Sequence, residues 1–319
     1  MRTILILLLA LFAVRARAQG DDETVFRTGV SDVRVDVQVL SDGSIVRGLK
    51  AEDFVVTDED QPQKIVACDQ DSARLSLVLL LDISGSMQKY LTVLARNANQ
   101  ALSLLRPADR VAIMVFATTA LVHQDFSDNL AETARQLGPA ILGHEEEVGD
   151  STKINAAVLD AAHLIDKSSG KMNGHSIDPG RRAILIVTDN LGVNNALPDN
   201  TVIQALLRAD ATLNGIVVGR DIRPRPYQRG ENPDDTPADI HHLAEETGGV
   251  VMKADESKDD FREMVERIRW RYTLAYHAPG GAEGSFRHIR VELSADARRR
   301  YPNAVIYART GYYVQVGQA

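Results

Sequence analysis

The sequence has few of the residues that stabilise small exported domains. Cys68 is the one cysteine among 319 residues, so an internal disulfide is excluded and the fold must rest on its apolar core. Cys68 itself reads as a small core residue in a strand, with an intermolecular bridge as the alternative. Positive charge is short: 36 Lys and Arg stand against 44 Asp and Glu, a net charge of −8. That balance argues against nucleic acid or an anionic membrane surface as the main partner. Beyond residue 14 no apolar run approaches the ~20 residues that cross a bilayer, so no integral membrane segment is expected there. The eight histidines show no zinc spacing, and His241-His242 reads as the surface and edge of a helix. Gly-x-Ser-x-Gly and Gly-x-x-x-x-Gly-Lys-Ser/Thr are both missing, which removes support for an esterase elbow and for a nucleotide phosphate loop.

What is present begins with a leader. Arg2, the apolar residues 4–14 and Ala16-Arg17-Ala18 form a charged start, a short apolar core and a small-residue cleavage site. Residues 1–18 therefore read as a secretory signal peptide, which places the mature chain outside the cytoplasm, periplasmic or secreted. Arg15 and Arg17 beside the cut leave retention as an anchor open. The leader carries three arginines and no acid, so its removal makes the chain more acidic still.

The stretch that organises the rest is 75–87. The run Leu75-Ser76-Leu77-Val78-Leu79-Leu80-Leu81 ends abruptly in Asp82. It reads as a strand buried on both faces in a parallel sheet, with Asp82 at the carboxyl end, where such sheets place ligands. Ser84 and Ser86 follow at alternate positions and in extended chain point the same way. Three oxygens aimed at one point suit a hard cation such as Mg²⁺.

The Asp-x-Ser-x-Ser spacing of Asp82, Ser84 and Ser86 resembles the metal-ion-dependent adhesion site of von Willebrand factor A domains. Gly149-Asp150-Ser151-Thr152-Lys153-Ile154-Asn155 resembles that family's second loop, and Ala183-Ile184-Leu185-Ile186-Val187-Thr188-Asp189-Asn190 its fourth strand and third loop. The resemblance implies that Thr152 and Asp189 complete a metal set of Asp82, Ser84, Ser86, Thr152 and Asp189, holding Mg²⁺ or alternatively Mn²⁺ or Ca²⁺. Asn190 departs from the family's usual glycine, but Asn tolerates a left-handed backbone. The resemblance also implies a six-stranded sheet with one antiparallel edge strand.

Alternating strands and helices over 74–269 predict an α/β, doubly wound, mainly parallel sheet covered on both faces. Before it, residues 24–70 read as a meander of about four strands, led by Val33, Val35, Val37 and Val39 at a period of two. After it, residues 270–315 return to strands. The order of these pieces, through Gly48-Leu49, Asp53-Phe54 and Gly311-Tyr312-Tyr313, resembles an exported bacterial group of von Willebrand factor A-related proteins first noted in Acidobacteria. Each flank, about 45 residues, is too small to bury a core alone. Together they approach the ~100 residues of an immunoglobulin-like sandwich. The expectation is one β-sandwich built from both flanks with the α/β unit inserted; two separate hairpin sheets are the alternative.

The resemblance implies divalent-cation-dependent protein binding of an adhesion type, with an Asp or Glu of a protein partner completing the metal's shell. Specificity is expected from a rim. Residues 220–235 follow a strand, and Arg220, Arg223, Arg225 and Arg229 are candidates to steer an acidic partner; the other reading is a solvated loop. His144-Glu145-Glu146-Glu147 is a second candidate to draw cations, and otherwise a solvated charge run. A scaffold with a purely structural metal is the alternative function. Catalysis is not expected: an aspartyl-phosphate phosphatase would need an acid where Ser84 stands.

Overall fold

The computed structural model describes residues 32–70, 73–168, 171–172, 175–176, 180–192, 197–220, 238–254 and 259–314. The leader, Arg223, Arg225 and Arg229 lie outside the described residues. The front segment is all strand: β1 (Asp32–Ser41), β2 (Ser44–Ile45), β3 (Phe54–Asp58), β4 (Gln61–Gln63) and β5 (Ile65–Gln70). Val33, Val35, Val37 and Val39 of β1 are all buried while Asp32 and Arg34 face solvent, as the period of two requires.

The middle alternates. β6 (Leu75–Asp82), α1 (Gln88–Leu102), β7 (Arg110–Phe116), β8 (Ala120–Ser127), α2 (Leu130–Leu142), a single turn α3 (Glu145–Val148) and α4 (Ile154–Ser168) come first. A two-residue hairpin follows, β9 (Lys171–Met172) with β10 (His175–Ser176). Then come β11 (Arg181–Thr188), α5 (Asp199–Arg208), β12 (Ala211–Val217), α6 (Ile240–Thr247), β13 (Val251–Lys253) and α7 (Asp260–Arg269). The sheet order is β13-β12-β11-β6-β7-β8, parallel throughout except for the antiparallel edge strand β8. β6 lies at its centre. Leu75, Leu77, Leu79 and Leu81 pack with α1, α2 and α7; Val78 and Leu80 pack with α4, α5 and α6. Two covered faces are why the run reads as unbroken apolar sequence rather than as alternation. Ser76, its one polar interior residue, accepts a hydrogen bond from Arg110 Nε at 2.8 Å.

The chain ends in β14 (Tyr272–His277), β15 (Phe286–Leu293), α8 (Ala295–Arg300), β16 (Ala304–Ala308) and β17 (Gly311–Tyr313). Strands of the two flanks interleave in two sheets, β16-β1-β14-β5 with β2 attached to β1, and β17-β15-β3-β4. Val37 pairs with Ala308, Val35 with Leu274, and Val56 with Val291. Their inner faces share one core, including Val33, Val35, Phe54, Val56, Tyr272 and Leu274. The fold is therefore α/β, with the six-stranded unit inserted between β5 and β14 of a sandwich that both flanks build.

Buried arginines fix the sandwich to the amino ends of the parallel strands. Arg181, the first residue of β11, donates to Asp36 Oδ2 at 3.1 Å, to Arg269 O at 2.8 Å and to Arg271 O at 3.1 Å. Burial alone would raise the Asp36 carboxyl, but Arg181 and Arg271, with the Thr273 hydroxyl, hold it below the ordinary value. Arg271 donates to Gly248 O and is pushed down to about 10 by burial. Arg269 pairs with Asp109 at 2.9 Å, and the same Asp109 carboxylate accepts from Leu75 N at 2.8 Å. Asp82 stands at the opposite end of the sheet, as the last residue of β6.

Several local expectations change. Residues 168–182 read as loop, yet Arg181 and Arg182 begin β11 as buried residues, because carbonyls such as Ala209 O, 2.9 Å from Arg182 Nη1, satisfy them. α2 runs on through Pro139, since Ala140 and Ile141 are buried. α6 is capped by Asp239, whose side chain accepts from His241 N at 3.1 Å. Gly248 ends α6 in a left-handed conformation, φ 77°, as a helix C-terminus favours. α8 is an element the strand pattern concealed. Cys68 is in β5 but only half buried, and burial pushes its thiol up to about 11.

Candidate metal centre

Asp82 closes β6 and is 1% exposed. Its two oxygens are held separately: Oδ1 accepts from Ser84 N at 3.0 Å and Oδ2 from Thr188 Oγ1 at 2.6 Å. Ser84 is extended (φ −60°, ψ 162°) and buried; a 3₁₀ turn over Gly85–Met87 then delivers the chain to α1. The extended backbone ends at Ser84, so it is this turn, rather than a continued pleat, that brings Ser86 Oγ to 3.4 Å from Ser84 Oγ. Ser84 lies beneath and the exposed Ser86 lies at the surface.

Asp189 follows β11, the strand hydrogen-bonded beside β6, with Val187 in register with Leu81. It is 5% exposed, and its Oδ1 accepts from Leu191 N at 3.2 Å. Asn190 has φ 57°, the left-handed turn that its side chain tolerates. Its N–H donates to Thr188 Oγ1 at 3.1 Å. Thr188 thus receives one hydrogen bond from its own turn and passes one to Asp82. Sequence reading passed over this residue as the last member of an apolar strand; its place directly before Asp189 was the available signal.

Thr152 arrives from the other side. Phe116 is the register partner of Asp82 on β7, and the next residue's carbonyl, Ala117 O, accepts from Lys153 N at 2.9 Å. Ser151 N donates to Thr118 Oγ1 at 2.9 Å. A Cβ on Gly192 would stand 2.9 Å from the Thr152 carbonyl oxygen, so the loop after Asp189 closes directly onto the Thr152 loop. Thr152 is half buried. All three loops therefore gather at the carboxyl end of the sheet. Arg220, just past β12, is exposed.

Among the described residues the electrostatics are those of an acid without a counter-charge. Burial raises the Asp82 carboxyl to about 6; hydrogen bonds from Thr188 and Ser84 pull it down, and the neighbouring Asp189 adds a further push upward. Among the described residues no cationic side chain acts on it. Among the described residues no three of His, Cys, Asp and Glu converge as a metal-binding group. The donors here are two carboxylates with the hydroxyls of Ser84, Ser86 and Thr152, an oxygen set of the kind Mg²⁺, Mn²⁺ or Ca²⁺ accepts.

No curated protein sequence matches the chain. An aerotolerance-related membrane protein from Bacteroides fragilis is similar in structure at 19% identity and TM-score 0.45, covering 61% of this chain and 98% of its own. A von Willebrand factor type A protein from Catenulispora acidiphila gives 11% identity and TM-score 0.46 over 92% of this chain and 76% of its own. Proximal thread matrix protein 1 of the mussel byssus, solved with a zinc-occupied MIDAS motif, gives 12% identity and TM-score 0.45 over 66% and 49%. Residues 77–192 match the family model for the von Willebrand factor type A domain, a stretch that runs from β6 to the loop after Asp189 and carries all five candidate oxygen donors.

Proposed function

We propose that the chain is an exported binding module that holds one divalent cation on Asp82, Ser84, Ser86, Thr152 and Asp189 and engages a protein partner through that partner's Asp or Glu. The observation that carries this reading is Asp82: a carboxylate 1% exposed, raised by burial and by a second acid, on which no cation among the described residues acts. A buried charge in that position calls for a counter-ion. When bound, the cation supplies an electrophilic position that a carboxylate from outside can complete. Mg²⁺ suits the set, with Mn²⁺ or Ca²⁺ as alternatives.

The chain's own residues divide the work. Thr188 and the Ser84 N–H hold the Asp82 carboxylate in one orientation. Ser86 is exposed and Thr152 only half buried, which favours a cation open to a partner. The burial of Asp82 and Ser84 favours the second reading, a scaffold whose metal only braces three loops. Arg220, exposed just past β12, supplies positive charge at the rim, and Arg223, Arg225 and Arg229 follow it in the sequence. The site is read as binding and not catalysing. The leader over residues 1–18 supports export, and among the described residues no helix is long and apolar enough to cross a membrane.

Capture of partners from the source's envelope fraction tests the reading. Mg²⁺ should support capture, and EDTA or Ser84→Ala should abolish it. Capture unchanged by both would overturn the binding role, and a lowered melting temperature with unchanged capture would select the scaffold. Turnover of generic phosphatase or esterase substrates would overturn the non-catalytic reading.

A further inference from the structure

Away from that centre two histidines face one another. His123 lies on the edge strand β8 and His144 immediately precedes α3. Their rings stand edge to face with centroids 5.0 Å apart, and His123 Nδ1 is 2.8 Å from His144 Nε2.

The groups on the outer nitrogens determine what the inner ones present. His123 Nε2 is 3.1 Å from Gln136 Oε1, and that amide is oriented in turn by Gln136 Nε2 donating to Glu132 Oε1 at 2.7 Å. A carbonyl oxygen only accepts, so His123 Nε2 carries the proton and a neutral ring leaves Nδ1 as a bare lone pair. His144 Nδ1 lies 3.4 Å from Glu147 Oε2 and makes no hydrogen bond there. The inner contact of 2.8 Å is a hydrogen bond when neutral His144 carries its proton on Nε2 and donates it to the His123 Nδ1 lone pair. A metal ion takes the place of that proton between the two nitrogens.

We propose that His123 Nδ1 and His144 Nε2 form a two-imidazole site for a borderline divalent transition ion, Zn²⁺ foremost, with Ni²⁺ and Cu²⁺ of the same chemical class. Imidazole nitrogen suits these ions, whereas the all-oxygen set at Asp82 suits hard ones. His123 has its outer nitrogen on an acceptor, the arrangement that fixes the tautomer of metal-ligating histidines. With Zn–N near 2.0–2.1 Å, tetrahedral ligation sets the two nitrogens about 3.3 Å apart, so the rings need to open by only about half an ångström. His144 is partly exposed, its side chain at 19%, which leaves room for water or a donor from another molecule to complete the shell. An ion here would clip the edge strand to the turn ahead of the Thr152 loop. The end of that turn is already tied in, because Val148 O accepts from Thr119 N at 3.0 Å.

Calorimetric titration of the full chain with Zn²⁺, in excess Mg²⁺ and with Cys68→Ser to remove the thiol, tests this. One equivalent should bind in this parent and equally with Asp82→Asn added. His123→Ala and His144→Ala should each weaken binding at least tenfold. Gln136→Ala, which leaves both imidazoles in place, should weaken it about tenfold or more through loss of the tautomer lock; it also serves if either histidine variant fails to fold. No zinc binding by the parent would show that the pair shares only a proton. Affinity unchanged in His123→Ala, His144→Ala or Gln136→Ala, or a loss that follows Asp82→Asn, would equally overturn the proposal.

Discussion

Removing divalent cations should destabilise this protein more at pH 7.5 than at pH 5, and Asp82 sets the size of the difference. Its carboxyl is raised in the folded chain from 3.8 to about 6. A rise of that size corresponds to ~3 kcal/mol. In the metal-free chain the folded state binds this proton more tightly than the unfolded state. Its stabilising effect is therefore complete below the unfolded value and is lost as pH rises through about 6. A bound cation keeps Asp82 ionised and offsets that loss. For a chain of this size ~3 kcal/mol corresponds to roughly 5–10 °C in Tm. Differential scanning calorimetry with and without EDTA at the two pH values reads the effect, with Asp82→Asn as control. Asp82→Asn should melt higher than wild type in EDTA at pH 7.5 and should lose its response to chelation. An EDTA shift of equal size at both pH values, or an undiminished shift in Asp82→Asn, would refute the reasoning.

Two further perturbations follow from particular contacts. Thr188→Val removes the hydroxyl that donates to Asp82 at 2.6 Å while keeping the shape of the strand end, so Mg²⁺ affinity by calorimetry should fall about tenfold with the fold intact. Asp58 is wholly buried and accepts from Tyr276 and Tyr312 hydroxyls at 2.8 and 2.9 Å and from Arg287 Nε at 2.7 Å. Asp58→Ala leaves those donors without their acceptor and should lower stability by about 3–5 kcal/mol in urea denaturation, with Mg²⁺ binding unchanged.

The parallel sheet was legible because β6 and β11 are buried on both faces and so announce themselves as apolar runs that stop at an acid. The two flanks were legible for the opposite reason, since one solvated face gives the period of two in β1. What the sequence concealed lies in contacts between distant segments. Asp58 stands in the polar run Asp58-Glu59-Asp60-Gln61 and reads as a turn, because Tyr276, Arg287 and Tyr312 that bury it come more than 200 residues later. Arg181 reads as loop for the same reason, with Asp36 and the residues before β14 as its partners. α8 has one buried residue, Ala297, and three consecutive arginines, so it carries no helical apolar stripe; its Ser294 cap was the only local sign. At the candidate centre the Asp-x-Ser-x-Ser spacing marked the loop, but Ser86 reaches Ser84 through a 3₁₀ turn that spacing alone does not specify. Thr188 escaped notice because a threonine at the end of a strand looks like ordinary β-propensity.

The most direct measurement of the central claim is a crystal structure of the full chain soaked in Mn²⁺, with the anomalous signal recorded at the manganese edge. The account places one peak within about 2.2–2.4 Å of oxygens from the Asp82, Thr152 and Asp189 loops, by analogy with other hard cations. An empty centre with Asp82 still enclosed, or a peak only elsewhere on the molecule, would contradict it.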